Sequence, residues 1–365
     1  MKTSYSANVI CSLMVAISLF SSAGLNAQGI TTPRAPSPAA SVSQTIGLSV
    51  VTVNYSRPSV RERVIWGKLV PYGYNKEPFG NGSDAPWRAG ANENTTITFS
   101  TDVKVEGKPV PAGTYGFFIA VFDNNTAEVI LSKDYQSWGN FFYNPKQDQL
   151  RVKINTKESE FTELLTYTFD DVSANSTVLT LKWEKKQFPV KLEFNVEDVV
   201  MDNAATELNG IKGFNWQSYN SAAVYAVQNN THLQQADVWS AKAVSLNPNF
   251  TTLNVRSQVM EKSGNKTLAD SLSAAAFKVA TEAEVNAYGY QLLNQGKHDK
   301  AIEVFIINTK NYPKSANCFD SLGEAYATKG DTKNAIANFK KALSMHPSDN
   351  VKANSEKFLK QLGAK

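Results

Sequence analysis

Cysteine and histidine are scarce in this chain of 365 residues, which contains two cysteines and three histidines. Two thiols cannot form a disulfide-dense scaffold or a zinc site with four thiolate ligands. The first histidine is His232, so the residues before it offer no imidazole for a Ser-His-Asp or Cys-His catalytic set. The sequence also has no Gly-rich phosphate loop and no calcium-binding loop. We therefore predict no metal site and no cofactor.

A strong excess of charge of one sign is also missing. The chain has 37 Lys and Arg residues against 33 Asp and Glu residues, which gives a formal net charge of +4. Proteins that bind nucleic acid usually present a clustered basic face, so we expect no nucleic-acid partner. The apolar share of 42% is ordinary for a folded protein. The length leaves room for about two or three domains.

The N-terminus contains one apolar run, from Val9 to Phe20. It is about twelve residues long, against the ~20 that a membrane-spanning helix needs. A lysine precedes the run and small residues follow it, with Ala27 suited to a cleavage position. Residues 1–27 are therefore predicted to be an export signal, the alternative being an anchor that is never removed. We expect a mature protein without a membrane span, located in the periplasm or outside the cell, and a linker at residues 28–36.

Segments with a two-residue hydrophobic period follow, separated by Gly and Asn turn signals. In the clearest two, every second residue is apolar from Leu179 to Trp183 and again from Val190 to Val196. Such alternation is typical of antiparallel strands that have one buried face and one solvated face. Several short strands without intervening helices predict an antiparallel β-sandwich-like domain over residues 37–197.

After the last strand the hydrophobic spacing becomes helical, and Gly289 and Phe305 recur 34 residues later as Gly323 and Phe339. These are the small and large positions of a tetratricopeptide repeat, where the glycine lets two helices approach closely. Two less regular repeats precede these two, so we predict four repeats and a C-terminal capping helix. The pattern predicts an all-α tetratricopeptide-repeat solenoid over residues 213–365, with a linker at 198–212.

Four stretches carry a family resemblance: Ser56-Arg57-Pro58, Gly67 to Gly73, Trp87 to Glu93, and Glu106 to Tyr115. With these stretches the chain resembles the secreted domain-of-unknown-function family 2911, which is common in Bacteroidetes and often precedes tetratricopeptide repeats. The resemblance covers about residues 37–196, and the segment from Tyr74 to Pro86 is insertion-like relative to the family pattern. It implies export and a β-rich fold. It supplies no activity, so no catalytic residue is carried over.

The candidate ligand site of the β-domain consists of Trp87, Arg88, Asn92 and Glu93. Aromatic faces beside Arg, Asn and Glu suit a polar ligand, such as a glycan or a carboxylate group. Alternatively, Arg88 and Glu93 form an internal pair, Asn92 caps a turn and the tryptophans belong to the core. The sequence leaves both interpretations open.

The candidate partner site is the groove of the solenoid, which the first helix of each repeat lines. By register with the last repeat, the predicted groove residues are polar, aromatic or acidic: Tyr225, Asn229, Asn286, Tyr290, Asn317, Asp320 and Glu324. This set contains no Lys or Arg, so it suits an extended peptide bound through Asn side chains. Alternatively, some of these positions only face solvent.

These features predict an exported, non-enzymatic binding or scaffold protein whose repeat groove binds a protein or peptide partner. A polar small ligand or glycan is a further expected partner, at the β-domain. The alternative is an envelope hydrolase that acts on a polar or glycan-like substrate through Glu93 and either Asp84 or Asp102. That chemistry needs two carboxylates at a fixed separation. Two carboxylates across an open cleft would favour the hydrolase.

Overall fold

The structure, a computed structural model, describes residues 37–364. Within this range the chain divides into two compact units. The first comprises residues 37–46 and 50–194, and the second comprises residues 47–49 and 195–364. The predicted leader and the predicted linker that follows it lie outside the described residues. In the described part of the chain, every helix is too short or too polar to cross a membrane.

The first unit is built from β-strands. They are β1 (Ala39–Ile46), β2 (Ser49–Ser56), β3 (Asn75–Lys76), β4 (Asp84–Ala85), β5 (Thr96–Phe99), β6 (Val103–Val105), β7 (Lys108–Val110), β8 (Gly113–Val121), β9 (Thr126–Ser132), β10 (Asp148–Asn155), β11 (Lys157–Asp170) and β12 (Ser176–Glu193). One sheet has the order β1-β2-β5-β8-β9-β10 and a second has the order β11-β12-β6-β7. Successive neighbours from β2 to β10 in the first sheet pair antiparallel. The predicted antiparallel β-rich domain is therefore confirmed.

Aromatic side chains connect the two larger sheets. The ring centre of Tyr167 on β11 lies 4.7 Å from that of Tyr55 on β2 and 6.0 Å from that of Phe117 on β8. On β12, Leu179 and Trp183 are each 1% exposed, which confirms the buried face that the alternation predicts. The hydrophobic core of this unit therefore lies between the two sheets.

Strand β12 differs from the sequence prediction, because the two predicted runs belong to one strand of 18 residues. Glu184, between the runs, has a left-handed φ of 56° where the register with β11 shifts. A bulge of this kind bends a strand without ending it. The insertion-like segment forms the short β3-β4 ladder, where Asn75 pairs with Ala85.

The second unit is helical. Its helices in the described residues are α1 (Val196–Leu208), α2 (Trp216–Asn229), α3 (Leu233–Leu246), α4 (Phe250–Lys262), α5 (Lys266–Val279), α6 (Glu282–Asn294), α7 (His298–Asn311), α8 (Ala316–Lys329), α9 (Thr332–Leu343) and α10 (Asp349–Gln361). Helices α2 to α9 form four consecutive pairs, and α10 follows as the capping helix. The predicted helical-repeat fold is confirmed.

The segment predicted as a linker, residues 198–212, is mostly helical instead. The side chain of Asn195 caps the N-terminus of α1 by accepting a hydrogen bond from a backbone N–H in its first turn. Met201 and Leu208 are buried and belong to the same hydrophobic cluster as Ala223 of α2. Helix α1 is therefore part of the packed second unit.

The last two helix pairs contain the predicted close approach at glycine. A Cβ atom added to Gly289 would lie 2.5 Å from ring atoms of Phe305, and one added to Gly323 would lie 2.8 Å from the ring of Phe339. Both rings are 0% exposed, so neither can move away into solvent. The aromatic ring occupies the space that any larger residue at these two positions would need.

Candidate functional site

The first unit contains a cavity of about 410 Å³, which we call the arginine cavity. Its charged, amide and aromatic lining residues are Arg61, Arg63, Arg88, Glu77, Asn75, Asn92, Asn140, Trp87 and Trp183. Apolar parts of the lining include Pro58, Leu69, Val70 and Pro71. The volume falls within the range of small-molecule sites, about 300–1,000 Å³. Three guanidinium groups against one carboxylate give the lining a positive charge.

Groups both near and distant in sequence hold Arg88 in the cavity wall. Its Nη1 donates to the backbone oxygen of Asn92 at 2.7 Å, and its Nη2 donates to Oδ1 of Asn140 at 2.6 Å. Asn140 donates in turn to a carboxylate oxygen of Glu77. The guanidinium also lies 4.7 Å from the ring centre of Phe141. Burial lowers the pKa of Arg88, an effect that Glu77 opposes, and a guanidinium stays charged at neutral pH.

The loop after Trp87 is strained and firmly anchored. Ala89 and Asn92 have left-handed φ angles of 48° and 62°, a conformation that costs a residue with a side chain about 1–2 kcal/mol. The Tyr167 hydroxyl donates to the Ala89 oxygen at 2.8 Å, and Nδ2 of Asn92 donates to the oxygen of Ser37 at 3.1 Å. Strained backbone held by such contacts is concentrated at functional sites.

Glu93 lies apart from the other predicted ligand-site residues. Trp87, Arg88 and Asn92 line the arginine cavity, whereas Glu93 is exposed and lines a separate, shallower pocket. The carboxylate linked to Arg88, through an intervening asparagine, is that of Glu77. The structure therefore brings together three of the four predicted residues.

The two carboxylates that a hydrolase needs do not meet in the arginine cavity or in the pocket that Glu93 lines. Glu77 is the single carboxylate in the lining of the arginine cavity, and Glu93 is the single carboxylate in the lining of the shallower pocket. Asp102 accepts the backbone N–H of Ala112 at 2.8 Å, and Asp84 is exposed on β4. Within residues 37–364, no cluster of His, Cys, Asp or Glu could hold a metal ion.

The second unit contains a pocket of about 340 Å³ between α2, α4 and α6, the first helices of three successive pairs. We call it the amide groove, because side-chain amides dominate its polar lining: Asn220, Gln228, Asn254, Gln258 and Gln291. Its apolar lining includes Val224, Val227, Phe250, Val255 and Tyr288. Glu284 is the charged residue of this lining, which contains no Lys or Arg that could bind a carboxylate group.

Unequal spacing of the helix pairs sets the register of the groove. The first helices have their N-caps at Asn215, Asn249, Thr281 and Ser315, with spacings of 34, 32 and 34 residues. Counting back from the last helix pair with a constant repeat length of 34 residues therefore does not give the equivalent positions in the earlier pairs. Five residues after each N-cap stand Asn220, Asn254, Asn286 and Asp320. Sequence reasoning found the last two of these and missed the first two.

Tyr225 and Asn229, predicted groove residues of the first pair, do not line the amide groove. Tyr225 lines a different pocket together with Val200 and Ala204 of α1. Asn229 is exposed at the end of α2, where its Nδ2 donates to the backbone oxygen of Tyr225 at 2.9 Å. Both residues lie on a face of α2 turned away from the amide groove.

Asp320 and Glu324 are covered by the capping helix. Oδ1 and Oδ2 of Asp320 accept hydrogen bonds from Ser355 and, at 2.8 Å, from Asn354, both on α10. Asn354 also donates to Oε1 of Glu324. Asp320 is only 4% exposed. A peptide therefore reaches the carboxylate of Asp320 only if α10 moves, whereas Glu324 remains partly exposed.

Tyr290 and Asn317 also bond within the second unit. The Tyr290 hydroxyl lies 3.3 Å from Oγ of Ser321, and its ring packs edge-on against Phe305 at 5.3 Å between ring centres. Nδ2 of Asn317 donates to Oε1 of Glu282 at 3.1 Å. The two hydrogen bonds connect neighbouring helix pairs, and the ring contact lies within one pair, so both side chains contribute to the packing of the solenoid.

Two asparagines at equivalent positions have an unsatisfied side-chain oxygen. In the described part of the chain, Oδ1 of Asn220 and Oδ1 of Asn286 are buried without a hydrogen-bond donor. Leaving a buried acceptor unpaired costs about 1–3 kcal/mol. A ligand N–H group that paired with Oδ1 of Asn220, a residue of the groove lining, would remove that cost, whereas Asn286 does not line the groove.

Replacing the two carboxylates that α10 contacts, Asp320→Asn with Glu324→Gln, is expected to weaken the pH dependence of the stability of the helical unit. Burial raises the pKa of both groups, and hydrogen bonds from α10 oppose the shift. Their stabilising contribution is therefore present below the ordinary carboxyl pKa, about 4, and is lost as pH rises through the raised values. Thermal unfolding followed by helical ellipticity should show a smaller decrease in Tm from about pH 4 to neutral pH than in the unaltered protein. The exposed Glu303→Gln serves as control, and an unchanged slope in the double variant would contradict the prediction.

Comparison with known families agrees with this two-part architecture. The family model described as a protein of unknown function (DUF2911) matches residues 37–192. The tetratricopeptide repeat model matches residues 316–349, which span α8 and α9. The first match covers the sheet unit, and the second covers the last helix pair.

Matches to individual proteins are partial. Cellulose synthase operon protein C of Escherichia coli K12 is 34% identical over 96 residues, which are 24% of this chain and 8% of that protein. The crystal structure of YrrB, a TPR protein with an unusual peptide-binding site, has 20% identity over 45% of this chain and 84% of that chain, with a TM-score of 0.25. The crystal structure of the C-terminal part of a TPR repeat-containing protein from Cytophaga hutchinsonii has 19% sequence identity. The match covers 46% of this chain and 74% of that chain, with a TM-score of 0.25. The chain therefore combines a segment that matches the DUF2911 family model, a family of unknown function, with a following tetratricopeptide repeat.

Proposed function

We propose that the helical unit binds an extended segment of a protein partner in the amide groove, as part of an exported, non-enzymatic scaffold. Tetratricopeptide repeats support a role in protein interaction. The observation that carries the proposal is the buried, unpaired Oδ1 of Asn220, a residue of the groove lining. Asn286, at the equivalent position of a later helix pair, has the same unpaired oxygen but does not line the amide groove.

An extended peptide presents one N–H donor and one C=O acceptor at each residue. A side-chain amide offers both an acceptor and a donor, so a row of amides can pair with peptide backbone whatever its side chains are. The apolar lining, including Phe250 and Tyr288, would accept some of the partner's side chains. Glu284 favours a segment that is neutral or basic.

The proposal is tested by selecting extended peptides from a displayed library on the full chain and measuring their affinities for variants. Asn220→Ala combined with Asn254→Ala is expected to weaken binding by roughly ten-fold or more, because two amide pairings are lost. Gln234→Ala with Gln235→Ala, which removes two exposed amides of α3, should leave binding unchanged. Melting temperatures should show that both double variants fold. Selected peptides that bind the groove variant as tightly as the unaltered chain would contradict the proposal.

A further inference from the structure

We infer that the arginine cavity of the first unit binds a small organic molecule that carries a carboxylate group. The inference goes beyond the proposed function, because it concerns the other unit, a different surface and a different class of ligand. It rests on the charge of the cavity, on donors in its lining that lack acceptors, and on its apolar walls.

The positive charge of the cavity lining favours an anionic ligand. Arg61, Arg63 and Arg88 face the cavity, and Glu77 is the single carboxylate among its described lining residues. Asn140 donates to Glu77 and stands between it and Arg88, so Glu77 does not bond the guanidinium directly. A ligand with one or two negative charges would therefore complement this lining.

Hydrogen-bond donors remain available on these arginines. Arg88 uses one N–H of each terminal nitrogen on Asn92 and Asn140, which leaves further N–H groups of its five. Arg63 uses Nε and Nη2 on backbone oxygens, so its Nη1 is not engaged in these bonds. For Arg61, the bond found within residues 37–364 is made by its backbone N–H, to Oε1 of Glu163 at 3.0 Å. Its guanidinium is therefore available to a ligand.

The tryptophan wall supplies another unpaired donor. Trp183 lines the cavity and is 1% exposed, and its indole N–H has no acceptor in the described part of the chain. Trp87 stacks on it at 5.8 Å with an angle of 17° between the ring planes. Such rings favour an organic ligand that has an apolar or ring-shaped part.

These features together favour an organic carboxylate over an inorganic anion. The planar fork of arginine matches the two oxygens of a carboxylate. Inorganic phosphate would satisfy the arginines but would leave the walls formed by Trp87, Leu69 and Pro71 without an apolar partner. The volume of about 410 Å³ admits a molecule the size of a sugar acid or an aromatic acid.

The test measures tryptophan fluorescence of the full chain titrated with D-glucuronate and benzoate. Their uncharged counterparts, D-glucose and benzamide, and inorganic phosphate are titrated in parallel. At least one carboxylate is expected to bind with a Kd at or below about 1 mM, with weaker binding at high salt and weaker or no binding of its counterpart and of phosphate. Failure of both carboxylates, or equal binding of phosphate, would overturn the inference.

Variants locate the binding. Arg61→Gln is expected to weaken carboxylate binding roughly ten-fold and to leave the fold intact, because its side chain is exposed. Arg88→Gln should weaken it further, with its melting temperature measured alongside because Arg88 also anchors a loop. Lys68→Gln removes an exposed cation that does not line the cavity and should change nothing. Unaltered affinity in Arg61→Gln would overturn the assignment even if Arg88→Gln fails to fold.

Discussion

Trp183→Ala is expected to lower the free energy of unfolding of the first unit by about 3–5 kcal/mol. The side chain is 1% exposed, and its ring centre lies 6.0 Å from that of Trp66 and 5.8 Å from that of Trp87. Removing the indole leaves a void between the sheets that its neighbours cannot fill, because each of them packs against other parts of the core. The same change opens the wall of the arginine cavity, so carboxylate binding should be lost as well.

Denaturant unfolding of the full chain measures this effect. The transition of the first unit is followed by tryptophan fluorescence in a background in which the two tryptophans of the helical unit carry the changes Trp216→Phe and Trp239→Phe. The transition of the helical unit is followed by helical ellipticity. Trp138→Ala is the matched control, because Trp138 belongs to the same unit but is 48% exposed, and its loss should cost about 1 kcal/mol or less. Equal losses in the two variants would show that Trp183 does not form part of the core. A shift of the helical transition alone would contradict the assignment of Trp183 to the first unit.

Phe305→Ala is expected to cost about 3–5 kcal/mol in the helical unit, and Gly289→Ala added to it should return part of that loss. The Phe305 ring is 0% exposed and occupies the place where a Cβ at position 289 would lie 2.5 Å away. Gly289→Ala alone should cost about 1–3 kcal/mol through overpacking, reduced by up to about 1 kcal/mol of helix propensity. With the ring gone, the added methyl group has room, and the gain in helix propensity remains.

A double-mutant cycle tests this coupling. The double variant should be destabilised by less than the sum of the two single variants, as measured by denaturant unfolding of the helical signal. Gly323 and Phe339 provide an internal replicate, because a Cβ at position 323 would lie 2.8 Å from that ring. Additive effects at both pairs would mean that glycine is present there for a reason other than close helix contact.

The two candidate sites differ in how far sequence reasoning reached them. Trp87, Arg88 and Asn92 are close in sequence, and a shared loop was sufficient to group them. Glu77 and Asn140 were missed, because they lie on other loops and meet Arg88 only after the chain has folded. No local sequence pattern identifies these two residues, because only their positions in the folded structure relate them to Arg88.

None of the predicted groove residues lines the amide groove, although two of them occupy helix positions equivalent to those of Asn220 and Asn254 in its lining. Asn286 and Asp320 follow from the clear 34-residue rows, whereas Asn220 and Asn254 were missed because the spacing between the second and third N-caps is 32 residues. A signal was present in the sequence: Asn249 is a good helix N-cap, and counting from it gives Asn254 directly. Counting from caps is more reliable than counting from a fixed period when a repeat is shortened.

The amino-acid sequence by itself determined the division into a sheet unit and a helical-repeat unit, the buried face of β12 and the close helix approach at Gly289. These features follow from two sequence patterns: the two-residue hydrophobic alternation of the strands and the recurrence of residue types from one helical repeat to the next. Both patterns are local properties of the chain. The tertiary structure alone decided that three arginines and two tryptophans share one cavity, that Glu93 lies outside it, and that α10 covers Asp320. Such arrangements depend on which distant loops and helices come into contact, and that is determined by the packing of the whole unit rather than by neighbours in sequence.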